Sequence, residues 1–240
     1  MYDGLDPERV SRVTAALAVG ERDPQRSLCA ASAEVVRVSG AGIVLVAGGR
    51  MLGSVCVSSR VVEAVEELQY TLGEGPCVDA WRTREPVLAS DLAATDIRWP
   101  EFSAGAVKAG ARAAFGFPLL IGGACIGALN LFRDRPGPLD EDQLEDALVV
   151  ARVASRTVMG WQSVAGGERL AWQLEQVPAH RAVVHQASGM VSVQAGVPVD
   201  DALVILRAHA FAGGRTISSV ASDVVGRSLV FDGVAPEPEQ

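Results

Sequence analysis

The chain has 240 residues, 49% of them hydrophobic and 21% charged, with a formal net charge of −8. That composition fits one large or two modest globular domains and leaves no room for a chain that is mostly disordered. The negative balance excludes broad, nonspecific attraction to nucleic acid, so any such site has to be a local patch.

No apolar run reaches the roughly 18 residues that a membrane span needs. The opening Met1-Tyr2-Asp3-Gly4-Leu5-Asp6 is acidic where a secretory leader is basic, so a cytoplasmic protein without a membrane partner is expected. Cys29, Cys56, Cys77 and Cys125 contain no CxxC pair, which writes neither a local zinc site nor a redox dithiol. They read as small buried hydrophobes, and no metal ligands are assigned.

Apolar residues at helical spacing (Leu5, Val10, Val13, Leu17) predict a helix over 5–19, and the pattern resumes over 24–38 after the break at Gly20 to Pro24. The runs 42–47 and 51–57 flank Gly48-Gly49-Arg50 and predict a hairpin. A helix over 59–69 follows, then the loop Gly73-Glu74-Gly75-Pro76-Cys77, a short helix over 78–84 and a strand over 86–89. Residues 113–121 and 124–132, joined by Gly122-Gly123, form the clearest hairpin. Asp140 caps a long helix with Leu144, Ala147, Leu148, Ala151, Ala154, Val158 and Trp161 on one stripe. Taken together, the order of elements is α+β, one antiparallel sheet covered by helices.

Downstream, a helical segment begins over 168–174, with Pro178 at a kink or restart. Val183, Val184, Ala187 and Met190 recur at helical spacing, and small Ala187 and Gly189 allow a second helix to come close. Gly196-Val197-Pro198 breaks this helix, and Asp200 or Asp201 opens the next, with Ala202, Leu203, Leu206 and Ala210 as its apolar stripe. Gly213-Gly214 ends it, and Thr216 or Ser218 caps a third helix that buries Ile217, Val220, Ala221, Val224 and Val225. Periodicity alone equally fits a helix-turn-helix DNA reader or a dimerisation bundle.

Two sets of residues add a family resemblance. Gly73-Glu74-Gly75-Pro76-Cys77 followed by Ala80-Trp81, with Phe117-Pro118-Leu119 and Ile126-Gly127-Ala128-Leu129 later, resembles the GAF domain over about residues 24–162. Arg181 to Met190, Val199 to Ala210 with its Leu206-Arg207-x-x-Ala210 run, and Arg215 to Ala221 resemble the ANTAR domain, a three-helix RNA-binding module of bacterial antiterminators. The two resemblances in this order imply four segments: an N-terminal helical extension over 1–23, a GAF-like sensor with its long linker helix over 24–162, an ANTAR-like bundle over 163–231, and a disordered tail over 232–240.

The implied protein is a non-enzymatic, signal-responsive antiterminator, a homodimer that binds hairpins in nascent transcripts. Arginine pairs its planar fork with phosphate and stacks on splayed bases, and histidine does both more weakly. Arg181, His185, Arg207 and Arg215 are therefore the expected RNA contacts, together with Ser188. Ser188 stands where the family usually carries lysine, a loss on the order of 1.5 to 3 kcal/mol in phosphate contact. Formal charge over 166–231 is zero, five arginines against five carboxylates. The alternative is a protein-interaction adaptor with a decayed RNA site.

For the sensor half, the resemblance implies a small ligand of unknown identity, with Cys77 and Trp81 as candidate pocket residues; core packing is the plainer reading of both, and of Trp99. No histidine precedes His180, which excludes histidine-ligated haem there. Asn130-Leu131-Phe132-Arg133-Asp134 only echoes a cyclic-nucleotide signature, and Lys108 is the sole lysine, so a phosphorylated receiver domain is unsupported. A GAF-fold thiol enzyme would need two cysteines within disulfide reach.

Overall fold

The computed structural model describes residues 6–18, 24–47, 49–94, 98–164 and 179–231. The chain divides into two compact units, Met1–Leu174 and Glu175–Gln240.

In the first unit, α1 (Pro7–Ala18) and α2 (Pro24–Val36) precede the hairpin β1 (Gly40–Ala47) and β2 (Arg50–Val57). Then come α3 (Arg60–Leu72), α4 (Pro76–Thr83), β3 (Val87–Ala89), α5 (Pro100–Ala109), the hairpin β4 (Ala113–Ile121) and β5 (Ala124–Arg133), and the long α6 (Glu141–Val164). The five strands form one antiparallel sheet in the order β2-β1-β5-β4-β3.

Strand alternation sorts side chains onto two faces. Ile43, Leu45, Phe115, Phe117, Leu119, Leu129 and Leu131 point to one face and pack against α1, α2 and α6 through Val13, Leu28, Val36, Ala147, Val150, Ala154 and Val158. The helical extension is thus part of this core. Each large apolar side chain fully buried here contributes about 1.5–3 kcal/mol. Ala114 and Phe132 point to the other face, beneath Val62 and Val65 of α3 and Phe102 and Ala106 of α5. The expected cap of α6 is present, the Gln143 amide donating to Asp140 Oδ1 at 2.8 Å.

Three features depart from expectation. Helix α5 was not anticipated, because its small residues and Gly105 blunt the apolar periodicity; Pro100 at its first position was the available sign. Cys77 lies within α4, at 0% exposure, instead of in a loop. Cys29 and Cys56, expected as separate buried thiols, form a disulfide between α2 and β2 with Cα atoms 5.9 Å apart. Their partnership across 27 residues arises only when β2 folds back beneath α2, which local spacing does not encode.

The second unit is a three-helix bundle of α7 (Ala179–Ala195), α8 (Val199–Ala212) and α9 (Ile217–Val225). Its core is small, with Val184, Ala187 and Val191 meeting Ala202, Leu206 and Ala210, and Ile217, Val220, Ala221 and Val224 all fully buried. Leu203 and Val225 are half-buried. Thr216 caps α9, accepting from the Ser219 amide at 3.2 Å, and Gly196 and Gly214 take positive φ at the two breaks. Gly189 does not mark a close helix approach, since a Cβ there would meet nothing within 4 Å. The expected segment over 168–174, the restart at Pro178 and the tail over 232–240 lie outside the described residues, as does the Trp161 side chain. Among the described residues no single helix is long and apolar enough to cross a membrane; α7 and α8 pass such a test only together, bent by 103°.

Candidate nucleic-acid interface and sensor face

On the bundle, burial separates the expected RNA contacts. His185 is exposed on α7. Ser188, one turn further, is 2% exposed, and its hydroxyl donates to the Val184 carbonyl at 2.8 Å. The expectation of a surface contact from Ser188 is therefore corrected: it is a packing residue whose short polar side chain is satisfied by the preceding turn. Arg207 is half-buried on α8. Arg215 follows the Gly213-Gly214 turn, exposed, and donates to Asp223 Oδ2 at 2.6 Å and Ser219 Oγ at 2.8 Å. The Arg181 side chain lies outside the described residues.

Helix α8 is electrically polarised along its length. Asp200 and Asp201 occupy its first turn, where the helix dipole favours them, and Arg207 and His209 occupy its second half. The chain after α9 returns across the bundle, with the Phe231 amide donating to Gln194 Oε1 at 3.1 Å and its ring edge-on to His209 at 5.3 Å. Phe231 ends the expected span of this module, and the sequence had assigned its side chain no role. Exposed Phe211 and Val204 share the outer side of α8.

In the first unit, α3 and α4 cover the sheet closely. Gly116 faces α4 so tightly that a Cβ there would lie 2.5 Å from the Pro76 carbonyl oxygen, and one at Gly42 would lie 2.6 Å from Glu66 Oε1. Within this cover is a buried polar group that sequence reasoning missed. Asn130 Nδ2 donates to Glu66 Oε1 at 2.6 Å, both residues being 1% exposed. Gln69 accepts from the Cys77 amide at 2.8 Å, which fixes the start of α4 onto α3. Asn130 Oδ1, Gln69 Nε2 and Trp81 Nε1 have no hydrogen-bond partner among the described residues. Buried polar atoms in that state are rare and mark places where water or a ligand completes the bonding. The available signal was a polar Asn130 inside an apolar strand and Glu66 and Gln69 on the apolar stripe of α3.

The expected pocket residues fare differently. Cys77 is wholly buried, while Trp81 is half-buried with Arg82 stacked 5.3 Å from its ring centroid. Trp99 is core, as its plainer reading held, with its indole donating to Asp79 Oδ2 at 3.0 Å. Burial pushes the Cys125 thiol above its ordinary value, which keeps it protonated and unlike a reactive thiolate.

Comparisons with known proteins bear on the fold and the family. The chain is similar to the GAF domain of a phosphoenolpyruvate-protein phosphotransferase from Acinetobacter, at 15% identity and TM-score 0.50, covering 66% of this chain and 96% of that one. It is also similar to the GAF domain of such a protein from Coxiella burnetii, at 12% identity and TM-score 0.49, covering 65% and 94%. At 15% identity the likeness to the Acinetobacter domain concerns the fold alone. A comparison with curated proteins finds no match. The family model for the GAF domain matches residues 20–158 and that for the ANTAR domain residues 172–225. The five-stranded sheet and a separate three-helix bundle fall within those limits, so the chain belongs to the GAF domain family and carries a C-terminal ANTAR domain, the organisation of a signal-regulated ANTAR-type regulator.

Proposed function

We propose that this protein is a cytoplasmic, homodimeric antiterminator that binds RNA hairpins through its ANTAR bundle, under control of its GAF unit, and performs no catalysis of its own. The observation that carries the reading is the polarised bundle: acids at the start of α8, arginine and histidine along its second half and in the turn beyond, on a domain that matches the ANTAR family. Arg181, His185, Arg207 and Arg215 hold phosphate or stack on loop bases, and dimerisation raises the effective concentration of the second site for paired hairpins. In the GAF unit, a small polar ligand completes the hydrogen bonding of Asn130, Gln69 and Trp81, and the change passes through α6.

Titration of purified protein with a tandem-hairpin RNA at two salt concentrations tests this reading. Salt-sensitive binding that falls about ten-fold in Arg207→Ala supports it. Absence of binding by a confirmed dimer sinks it. The adaptor reading has two observations in its favour, the burial of Ser188 where the family usually places a lysine and the engagement of Arg215 by Asp223. A GAF-unit partner retained after removal of residues 166–240 would select it.

A further inference from the structure

We infer that Cys29 and Cys56 form a thiol–disulfide modification site, a redox-responsive staple through which small disulfides of the glutathione class set the state of the GAF unit. The inference is independent of RNA binding but rests on the proposed cytoplasmic location, a reducing compartment. It starts from where the bond lies. Cys56 is on β2, an edge strand whose pairing with β1 shifts register twice, between Ile43 and Val44 and between Leu45 and Val46. Cys29 is on α2, which packs on α1, α6 and the sheet. One covalent bond therefore ties an edge strand with an irregular register to the helical layer that contains α6.

The two other cysteines stand outside this pair. Cys77 is sealed in α4, and Cys125 is on β5. The chain thus separates one bonded pair from two cysteines that take no part in it. In a reducing compartment such a pair rests as two thiols, and a disulfide there is typically transient and responsive. The chemistry balances with an external disulfide as oxidant. The thiolate of Cys56, 7% exposed against 0% for Cys29, attacks one sulfur of that disulfide, forming a mixed disulfide and releasing one thiolate. The thiolate of Cys29 then attacks Cys56 Sγ, expelling the second. Two electrons pass from the pair to the oxidant, and the two protons lost by the protein end on the released thiols or in water.

Closing the loop restrains the unfolded chain, and for 27 residues this corresponds to a rise in Tm of about 10 °C. The test uses the full chain, equilibrated in buffers of reduced and oxidised glutathione, quenched in acid, alkylated and weighed. Four alkylated thiols at the reducing end should become two at the oxidising end in a two-electron transition, with the Cys29 peptide linked to the Cys56 peptide. Melting should shift with the thiol count, and amide exchange in α2 and α6 should slow on oxidation. The Cys77→Ser/Cys125→Ser double variant, which leaves the pair intact, should behave the same, while Cys29→Ser and Cys56→Ser each lose the transition. Four thiols in every buffer, a bond that survives the most reducing buffer in the folded protein, linkage through Cys77 or Cys125, or unchanged exchange in α6 would each overturn the inference.

Discussion

Single atoms decide how α3 and α4 sit on the sheet. Because a Cβ at Gly116 would lie 2.5 Å from a backbone oxygen, which cannot swing aside as a flexible side chain can, Gly116→Ala should destabilise the first unit by about 1–3 kcal/mol, seen as a lower midpoint in urea. Asn130 is a second such position. Its donor meets the Glu66 carboxyl, which is 1% exposed, and leaving a buried polar group without its partner costs about 1–3 kcal/mol. Asn130→Ala should lower stability by that order, whereas Asn130→Asp, placing a second acidic group against Glu66, should lower it further; equal stability of the two variants in chemical denaturation would refute the pairing. In the bundle, Asp223 holds Arg215 at 2.6 Å, so under the proposed RNA reading Asp223→Asn should tighten hairpin binding several-fold in the RNA titration.

Between elements, ion pairs add to the apolar packing of Val13 and Leu17 that holds α1. Arg9 reaches Asp142 at 2.8 Å, Glu145 at 3.0 Å and Asp146 at 2.7 Å on α6, and Arg12 also meets Asp146, whose side chain is 5% exposed. The hydrogen bond from Arg9, and then its charge, hold the Asp142 carboxyl below its ordinary value of 3.8. A carboxyl depressed in the folded state adds stability that is complete above its ordinary value and is lost as pH falls through the folded one. Acidification below about pH 4 should therefore release α1 from α6 before the sheet melts, detected as faster amide exchange in residues 7–18. Arg9→Ala should produce the same release at pH 7 and flatten that acid dependence.

At the scale of the whole molecule, charge governs partner choice. A net charge of −8 repels nucleic acid at long range, and a bundle that is neutral over 166–231 offers only a few cations. With about three phosphates neutralised, hairpin affinity should fall roughly 40-fold between 50 and 200 mM salt, and duplex RNA lacking loops should bind far more weakly. A slope appropriate to eight or more contacts would mean that basic residues outside the bundle take part.

Local spacing alone determined most of the elements: the two hairpins, the cap at Asp140, the Gly-marked breaks and the apolar stripes of α7 to α9 all depend on residues close in the chain, so their physics is present in any short window. The pairing of a sensor with an output module was legible for the same reason, as an order of motifs. What only the tertiary structure decided are the relations across distance. Helix α5, whose own apolar pattern is weak, packs with α3 over Ala114 and Phe132 of the sheet. Ser188 turned inward because its turn of α7 faces the other helices, and Asn130 met Glu66 across 64 residues. Cys29 met Cys56 because an edge strand folds beneath α2. Burial and partnership are properties of neighbours in space, and a sequence specifies those neighbours only through the whole fold.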